Sequence, residues 1–492
     1  MKRKLKELTS ALTGCRLIGS DQVVISGLTY DSRRVQPGDL FLAVSGFKQN
    51  GASFIPDAVA AGAAAVAAEK DFTADVPTLV VPDMRRAMPE IAARFYGFPG
   101  RRLTVIGVTG TNGKSTSVYL VYKILEAADL PAGMANSLYY DTKKTRYKAA
   151  RTTPEAVDLQ RYMAEMIEAG CTHCVLEVSS HALILSRVEN IDFKVGLYTN
   201  FSRDHLDFHK SMEQYLAAKK SFLDKLVGDN KTAVINLDVP EFAAFSGDTR
   251  GRALTYAVET PGAEVTIREP RLLPEKSVFR LVTPAGETEI ELPLPGYYNL
   301  ANAVAAAAAG IALGIDPELI ARGLKTAQPL PGRFQPVKRG QPFLLLIDYA
   351  HTPDALNRLC RSARPITPGR LLILFGCGGD RDRGKRPLMA EAASANSDFA
   401  VVTSDNPRTE DPNRIIDDIL PGLKGDDYVV IVDRREAIRD IIGRAREGDT
   451  VILAGKGAED YQEIGTTRYP FEDITEAVKA LDELGYRTDQ KE

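Results

Sequence analysis

The sequence predicts an α/β protein built of three domains. Its 492 residues exceed what one core commonly holds, because domains average about 100 to 200 residues. Apolar runs alternate with segments of helical periodicity over most of the chain, which is typical of doubly wound sheets. Two stretches rich in glycine, proline and arginine, 96–102 and 330–337, interrupt this pattern. We therefore expect domains at 1–98, 99–334 and 335–492.

The composition is that of an ordinary globular protein, with 44% hydrophobic and 26% charged residues. A net charge of −3 gives no reason to expect nucleic acid as a partner. The longest apolar run, 303–315, is too short to cross a bilayer, and the basic N-terminus lacks the apolar region of a signal peptide. The C-x-x-C at 171–174 lacks the second ligand pair of a zinc site. We expect a cytoplasmic monomer that binds no membrane.

The first domain mixes short strands, "QVVISGLTY" and "DLFLAV", with the alanine-rich helix "FIPDAVAAGAAAVAAE". The second opens on "LTVIGVT", a continuous apolar run that indicates a strand buried on both faces of a mostly parallel sheet. The helix "STSVYLVYKILEAA" follows, then the strands "CVLEVS", "KVGLYTN" and "TAVINLD". An irregular β stretch at about 253–293 and the helix "NLANAVAAAAAGIALG" complete this domain.

The third domain repeats the doubly wound pattern. Its predicted strands are "FLLLIDYA", "RLLILFGC", "FAVVTS", "YVVIVD" and "TVILAG", and helical segments separate most of them. A redox Rossmann enzyme is disfavoured, because no G-x-G-x-x-G with a ribose-binding acid opens either of the last two domains.

The stretch "GVTGTNGKST", 107–116, has the features of a phosphate-binding loop. It follows a buried strand and opens a helix, so glycines can bring backbone N–H groups close to an anion at the helix N-terminus. Lys114 can neutralise phosphate charge, and Ser115 offers a hydroxyl to Mg²⁺. The spacing departs from strict G-x-x-x-x-G-K-[ST], because Val108 occupies the place of the first glycine.

Histidines recur in polar clusters that follow predicted strands. His181 lies in "EVSSHAL", His205 and His209 in "TNFSRDHLDFH", and His351 in "DYAHTPD". Ligands bind at the carboxyl ends of strands in open α/β sheets. Glu177 and His205 are candidates to share a second Mg²⁺ that screens a phosphoryl group from an attacking carboxylate. On the residues alone, "YLAAKKSFL" at 215–223 predicts a plain helix with solvated lysines.

Several motifs together resemble the Mur ligase family over essentially the whole chain. They are "GTNGKST", "TTPE", "EVSSHAL", "NFSRDHLDFH", "AAK", "YYNLANAVAA", "PGRFQ", "DYAHTPD", "GCGGDRDRGKRP", "DNPR" and "GKG". The resemblance implies a small N-terminal α/β UDP-binding domain, a central P-loop ATPase domain and a C-terminal Rossmann-like domain that binds the amino acid. It implies an ATP-dependent amide ligase of peptidoglycan synthesis that adds meso-diaminopimelate to UDP-N-acetylmuramoyl-L-alanyl-D-glutamate. The reaction would pass through an acyl phosphate and give ADP and phosphate.

The same resemblance implies roles for individual residues. Catalytic and metal-binding roles fall on Lys114, Ser115, Glu177, His205 and Lys219, with two Mg²⁺ sites and Lys219 carrying a carbamate derived from CO₂. The ATP-binding residues would be Gly110, Thr111, Asn112, Gly113, Lys114, Ser115, Thr116, Asn299, Arg333 and Asp348. The UDP-muramoyl-dipeptide would contact Tyr30, Ser32, Phe47, Lys48, Gln49, Thr152, Thr153, Ser179 and Arg187.

Arg408 of "DNPR" is the residue that favours diaminopimelate over lysine. Its planar, permanently charged fork suits the second carboxylate that diaminopimelate carries and lysine lacks. The resemblance adds further amino-acid contacts at Arg381, Asp405, Asn406, Pro407, Gly455 and Glu459. Asp411 before Pro412 predicts a helix start just after this loop.

Alternatives remain open at this stage. Ala458 stands where the family usually has histidine, and "MANSLYY" at 134–140 replaces a Gly-Thr-rich stretch. An L-lysine-adding or pseudomurein-type ligase is therefore one alternative. Another ligase of the superfamily, such as a folylpolyglutamate synthase, is disfavoured by "DNPR" and "LTYDSR". A non-enzymatic nucleotide sensor is disfavoured because the positions of Lys114, Glu177, His205 and Lys219 are all filled.

Overall fold

The N-terminal domain forms a small sheet flanked by helices. The structure is a computed structural model that describes residues 1–46, 50–72 and 74–487. The first elements are β1 (Arg3–Lys4), α1 (Leu5–Thr9), β2 (Arg16–Ile18), β3 (Val24–Ile25), β4 (Gly27–Thr29), β5 (Asp39–Leu42), α2 (Ile55–Ala60), β6 (Ala65–Ala68), β7 (Thr78–Val80) and α3 (Met84–Tyr96). The five-stranded sheet has the order β2-β7-β6-β5-β4, and only β2 runs antiparallel to its neighbour. Helix α3 begins at Asp83, whose side chain accepts a hydrogen bond from the Arg86 N–H.

The central domain holds an eight-stranded sheet. Its elements are β8 (Thr104–Thr109), α4 (Lys114–Ala127), β9 (Ala132–Ala135), β10 (Tyr139–Asp141), β11 (Arg146–Lys148), α5 (Ala156–Glu168), β12 (His173–Glu177), α6 (Ser180–Ile184), β13 (Phe193–Tyr198), α7 (Leu206–His209), α8 (Met212–Lys220), β14 (Thr232–Asn236), α9 (Pro240–Ala243), β15 (Arg252–Tyr256), β16 (Thr266–Leu272), β17 (Ser277–Thr283), β18 (Gly286–Leu292), α10 (Tyr297–Ala312) and α11 (Pro317–Lys325). The strand order is β11-β10-β9-β12-β8-β13-β14-β15, parallel from β9 to β15. Strands β16 to β18 form a separate antiparallel sheet.

Strand β8 lies in the middle of this sheet, and small residues let its neighbours pack closely. Val105, Ile106 and Val108 are fully buried, as the continuous apolar run predicts. A Cβ on Gly107 would lie 2.5 Å from the Phe222 ring, so only glycine lets that aromatic side chain reach the sheet. On the other face, the alanine-rich α10 packs against α4. The phosphate loop therefore leaves a buried strand in the middle of the sheet.

The C-terminal domain is a second, mostly parallel sheet. Its elements are β19 (Gln335–Pro336), β20 (Leu344–Asp348), α12 (Pro353–Ala363), β21 (Leu371–Phe375), α13 (Lys385–Asn396), β22 (Phe399–Val402), α14 (Pro412–Ile419), β23 (Tyr428–Val430), α15 (Arg434–Gly443), β24 (Thr450–Ala454), β25 (Tyr461–Ile464), β26 (Thr467–Pro470) and α16 (Asp473–Glu483). The order is β19-β20-β24-β21-β22-β23, with only β19 antiparallel. Strands β25 and β26 form a separate hairpin.

The predicted α/β class with three domains is confirmed, since each region carries its own sheet and its own cores. The predicted helix start at Asp411 is confirmed too, because the Asp411 side chain accepts a hydrogen bond from the Asn413 N–H. The boundaries at 98/99 and 334/335 stay predictions. No helix within residues 1–46, 50–72 and 74–487 is long and apolar enough to cross a membrane.

Candidate active site

The phosphate loop between β8 and α4 has a backbone that requires glycine at two positions. Gly110 and Gly113 have φ of 149° and 79°, in the region that L side chains rarely adopt. A Cβ on Gly110 would lie 1.9 Å from Thr199 Oγ1, and one on Gly113 would lie 2.3 Å from Asn302 Oδ1. The loop is further held by Asn112, whose N–H donates to Asn200 Oδ1 at 2.8 Å. This loop opens the 14-residue helix α4, so an anion there meets backbone N–H groups and the favourable end of the helix dipole.

Two lysine side chains converge on the loop carbonyls. Lys114 Nζ donates to Gly110 O at 3.0 Å and Thr111 O at 2.7 Å, and Lys219 Nζ donates to Gly110 O at 2.7 Å. Lys219 is only 1% exposed, and its Nζ lies 4.5 Å from the centre of the Tyr215 ring. Burial, reinforced by the positive charge of Lys114, lowers the pKa of Lys219 well below its ordinary value. The expectation of solvated lysines in this helix is therefore wrong for Lys219, because α8 turns that side chain into the core.

Oxygen ligands gather beside the first turn of α4. Glu177, at the end of β12, is 1% exposed, and its Oε1 accepts from Ser115 Oγ at 2.6 Å and from the Ser137 N–H at 2.8 Å. The Ser115 and Ser137 hydroxyls are 2.7 Å apart. Hard oxygens next to a phosphate site suit Mg²⁺, which commonly uses one or two carboxylates together with waters and substrate phosphates. Among the described residues, no three His, Cys, Asp or Glu side chains group closely enough to hold a metal by themselves.

His205 belongs to a histidine cluster at the same edge of the sheet. It caps α7 in a left-handed conformation with φ of 56°, and its ring lies 4.9 Å from the His181 ring, centroid to centroid. Burial lowers the pKa of His205, so its imidazole is neutral at pH 7, the form that ligates metals. The Asp204 carboxylate lies 3.6 Å from His205 Nε2 and 3.9 Å from His351 Nε2. Burial alone would raise the pKa of Asp204, but these histidines and Lys385 lower it below its usual range.

Residues of the C-terminal domain meet the central domain at this edge. Arg203 of the central domain pairs with Asp382 of the C-terminal domain at 3.1 Å. Asp354 accepts from Asn112 Nδ2 of the phosphate loop at 3.5 Å. The loop that would enclose the phosphates of a nucleotide is thus covered from the other domain.

Arg333 and Asp348, two of the predicted nucleotide-binding residues, lie at or just after the linker between the central and C-terminal domains. Arg333 Nη2 donates to Ser137 Oγ at 3.4 Å, and its guanidinium stacks over the Tyr349 ring at 4.5 Å. Asp348 accepts from the Phe334 N–H at 2.7 Å and from the Tyr298 hydroxyl at 3.1 Å. Asp348 thereby ties the linker to β20.

The loop that carries Arg408 packs against the hairpin β25–β26. Arg408 has φ of 51°, its N–H donates to Glu463 O at 3.0 Å, and its C=O accepts from the Gly465 N–H at 2.7 Å. Its side chain donates from Nη1 to Gly379 O at 2.7 Å, and Nε lies 3.5 Å from the Glu463 carboxylate. Arg381 is exposed. A Cβ on Gly378 would lie 2.9 Å from Arg408 Nη1 and 3.9 Å from Arg381 Cγ. Two arginine side chains therefore border one glycine, and Arg408 does so with its guanidinium.

Next to Arg408, a buried polar network links the predicted amino-acid residues. Asn406 donates from Nδ2 to Glu459 Oε2 at 2.8 Å and accepts at Oδ1 from Lys456 Nζ at 3.1 Å. Burial and the neighbouring Asp405 raise the pKa of Glu459. Gly455 has φ of 113°, and a Cβ there would lie 2.8 Å from Asp405 Oδ2. The carboxylates of Asp405 and Glu459 lie beside the ammonium of Lys456. An amino-acid head group needs both kinds of partner, because its ammonium binds carboxylates and its carboxylate binds cationic donors.

Thr153, Ser179 and Arg187 meet on the other side of Glu177. Thr153 Oγ1 donates to Glu177 O at 2.7 Å and lies 3.2 Å from Ser179 Oγ, while Arg187 Nη1 donates to Thr153 O at 3.2 Å. Thr152, beside Thr153, is partly exposed. Tyr30 donates its hydroxyl to Asp158 Oδ2 at 2.5 Å across the first two domains, and Ser32 begins a short 3₁₀ helix after β4. Phe47, Lys48 and Gln49 lie outside the described residues.

Comparison with known proteins identifies the family. Three family models match: the Mur ligase family catalytic domain at 24–96, the Mur ligase middle domain at 108–310, and the Mur ligase glutamate ligase domain at 332–457. A 2,6-diaminopimelate-adding UDP-N-acetylmuramoyl-L-alanyl-D-glutamate ligase of Gloeobacter violaceus is 44% identical over 97% of this chain and 98% of its own. That of Geobacillus thermodenitrificans is 42% identical over 98% and 99%. The chain belongs to the Mur ligase family.

Comparison with solved structures also places the chain in the Mur ligase family. A structure named as the same 2,6-diaminopimelate ligase superposes with a TM-score of 0.67 at 32% identity, covering 99% of this chain and 100% of that one. MurF from Acinetobacter baumannii gives a TM-score of 0.72 at 19% identity over 98% and 99%, which shows the shared fold.

In this Mur ligase, three residues that face the candidate site were missing from the sequence predictions. Asn302 lies one helical turn beyond Asn299 and contacts the loop at Gly113, whereas Asn299 donates to Pro295 O at 2.8 Å. The "NLANA" spacing, with two asparagines on one helix face, was the available signal. Ser137 and Asp204 carried no such signal, because only the packed structure brings them to Glu177 and His351.

Proposed function

We propose that this Mur ligase joins meso-diaminopimelate to UDP-N-acetylmuramoyl-L-alanyl-D-glutamate, converting ATP to ADP and phosphate. The observation that carries the proposal is Arg408, held by Gly379 O and Glu463 beside a buried network that suits an amino-acid head group. Diaminopimelate has a head group at one end and a second carboxylate at the other. Its two ends would occupy the Asn406–Glu459 network and the Arg408 guanidinium respectively.

In the first step, the glutamyl carboxylate of the muramoyl-dipeptide attacks the γ-phosphorus of ATP, and ADP leaves. Two anions approach each other in this step, so positive charge must be in place before they meet. Lys114 supplies one charge from the first residue of α4, and the loop N–H groups orient the phosphates. Bound Mg²⁺ would screen the remaining phosphate charge, held by Ser115, Glu177, His205 and a carbamate on Lys219.

The carbamate on Lys219 is part of this proposal. The neutral amine nitrogen would bond to the carbon of CO₂ and lose one proton to solvent, which converts the neutral side chain into an anion. Two features support it: burial favours the neutral, nucleophilic amine of Lys219, and that amine lies beside the phosphate loop. An anion there would also attract the positive charge of Lys114.

In the second step, the amine of diaminopimelate attacks the acyl phosphate, and phosphate leaves from a tetrahedral intermediate. The acyl phosphate must be kept from water, which competes with the amine. The contacts Arg203–Asp382 and Asn112–Asp354 connect the two domains over the phosphate loop. The C-terminal domain would thus deliver the amine and exclude water at once.

The test is a phosphate-release assay with UDP-N-acetylmuramoyl-L-alanyl-D-glutamate and ATP, comparing meso-diaminopimelate with L-lysine. We expect release that requires the UDP substrate and is far faster with diaminopimelate. Equal or faster release with L-lysine would show that Arg408 does not select the substrate. ATP binding without turnover on any amino acid would instead identify a nucleotide sensor.

A further inference from the structure

Three arginine side chains surround the buried carboxylate of Glu155. Its side chain is 5% exposed and lies just before the first turn of α5. Glu155 Oε2 is 3.0 Å from Arg85 Nη1, Oε1 is 2.8 Å from Arg187 Nη2, and Oε1 is 3.7 Å from Arg151 Nε. One negative charge is thus shared by three positive ones.

The arginines come from different parts of the fold. Arg85 belongs to α3 of the N-terminal domain, Arg151 follows β11, and Arg187 follows α6. Arg85 also donates from Nη2 to Ser45 O at 3.5 Å, near the end of β5. Glu155 is therefore a contact point between the N-terminal domain and the central domain.

The Arg187 side chain has one hydrogen-bond donor that is left for a ligand. It is 8% exposed, and its Nη1 and Nη2 are occupied by Thr153 O and Glu155. Its Nε is buried and has no hydrogen-bonding partner among the described residues. Buried N–H donors are nearly always paired, so an orphaned one beside an excess of positive charge marks a place for an anionic acceptor. Thr153, whose C=O accepts from Arg187, also donates from its hydroxyl to the backbone C=O of Glu177, and the Glu177 side chain accepts from Ser115 of α4.

We propose that Glu155 is a positioning residue for the UDP-muramoyl-dipeptide site, holding Arg187 and Arg85 so that both domains act on one substrate. Arg187 Nε then meets a carboxylate of the dipeptide, while Arg85 fixes the N-terminal domain against α5. Without the Glu155 charge, the arginines repel each other and Arg187 loses its orientation. This inference rests on the proposed function, because it takes the muramoyl-dipeptide as the ligand.

The test substitution removes the negative charge of Glu155 and keeps the shape of its side chain. In full-length Glu155→Gln, we expect the KM for the UDP-muramoyl-dipeptide to rise at least tenfold, with the KM values for ATP and diaminopimelate within twofold of the wild type. Glu155→Asp keeps the charge and should recover part of the loss. Glu168→Gln is the matched control, because Glu168 lies at the opposite end of α5 from Glu155 and pairs with exposed Lys144. KM values for all three substrates that rise together in Glu155→Gln would indicate a merely structural role and overturn the proposal.

Calorimetric titration with the UDP-muramoyl-dipeptide alone separates this inference from the proposed function. A wild type that binds the dipeptide but releases no phosphate with diaminopimelate contradicts the proposed function and leaves Glu155 testable. Glu155→Gln that binds as tightly as the wild type overturns the positioning role. If Glu155→Gln does not fold, Arg85→Met serves instead: weaker binding at unchanged melting temperature supports the role, and unchanged binding contradicts it.

Discussion

Arg408→Ala is the substitution that most directly tests recognition of the amino acid. Arg408 is 18% exposed at its side chain, and Gly379 O and Glu463 already hold two of its nitrogens. Nη2 has no hydrogen-bonding partner among the described residues and is available to a ligand carboxylate. The substitution removes this charged donor and leaves Glu463, which then repels the second carboxylate of diaminopimelate.

The expected cost follows from the burial of the pair. Truncating one partner of a buried, hydrogen-bonded charge pair commonly costs about 2–5 kcal/mol. The partial exposure of Arg408 places the value near about 3 kcal/mol, which weakens diaminopimelate binding about 100- to 200-fold. Alanine and arginine both pay for the left-handed backbone at φ of 51°, so we expect little change in unfolding.

The assay is steady-state phosphate release with each substrate varied in turn. We expect the KM for diaminopimelate to rise by the factor above, the KM for ATP to stay within twofold, and the preference for diaminopimelate over L-lysine to fall. Arg408→Lys keeps the charge without the fork and should lie between. An equal loss of ATP affinity, or an unchanged preference for diaminopimelate, would refute the reasoning.

Three other predictions concern different parts of the chain. Lys219→Ala should lower phosphate release more than about 100-fold, with partial rescue by short carboxylic acids that replace the carbamate; no rescue would contradict the carbamate. Hydrogen bonds from Arg386 lower the pKa of Glu410 to about 2, so the stability from this carboxylate is present above about pH 4 and is lost as the pH falls through 2. The difference in unfolding free energy between the wild type and Glu410→Gln, measured in urea, should accordingly shrink as the pH falls from about 4 to 2. A difference that does not change with pH would contradict a lowered pKa of Glu410. Asp473→Asn leaves the fully buried Arg434 unpaired and should cost about 3–5 kcal/mol in urea unfolding, whereas a loss below about 1 kcal/mol would show that the site relaxes.

Local patterns were enough to predict the elements that form the site. The phosphate loop was predictable because the glycine positions, the following lysine and the preceding apolar strand all lie within residues 103–114. The clusters of His181 and His205 were predictable to one edge of the central sheet, because parallel strands end together. His351 follows a strand of the C-terminal sheet, so its approach to Asp204 was not predictable in this way. The helix start at Asp411 is a local property of the side chain and its next two residues.

By itself, then, the sequence determined the α/β class, the phosphate loop and, through its motifs, the resemblance to Mur ligases. The tertiary structure decided which side chains meet. Lys219 lies in a segment whose pattern predicts a solvated helix, yet it is buried at Gly110 O, 109 residues away along the chain. Glu155 gathers arginines from positions 85, 151 and 187, and Ser137 reaches Glu177 from a neighbouring strand connection. Periodicity records only which face of an element is apolar, whereas these contacts depend on how separate sheets and domains pack, which no local pattern records.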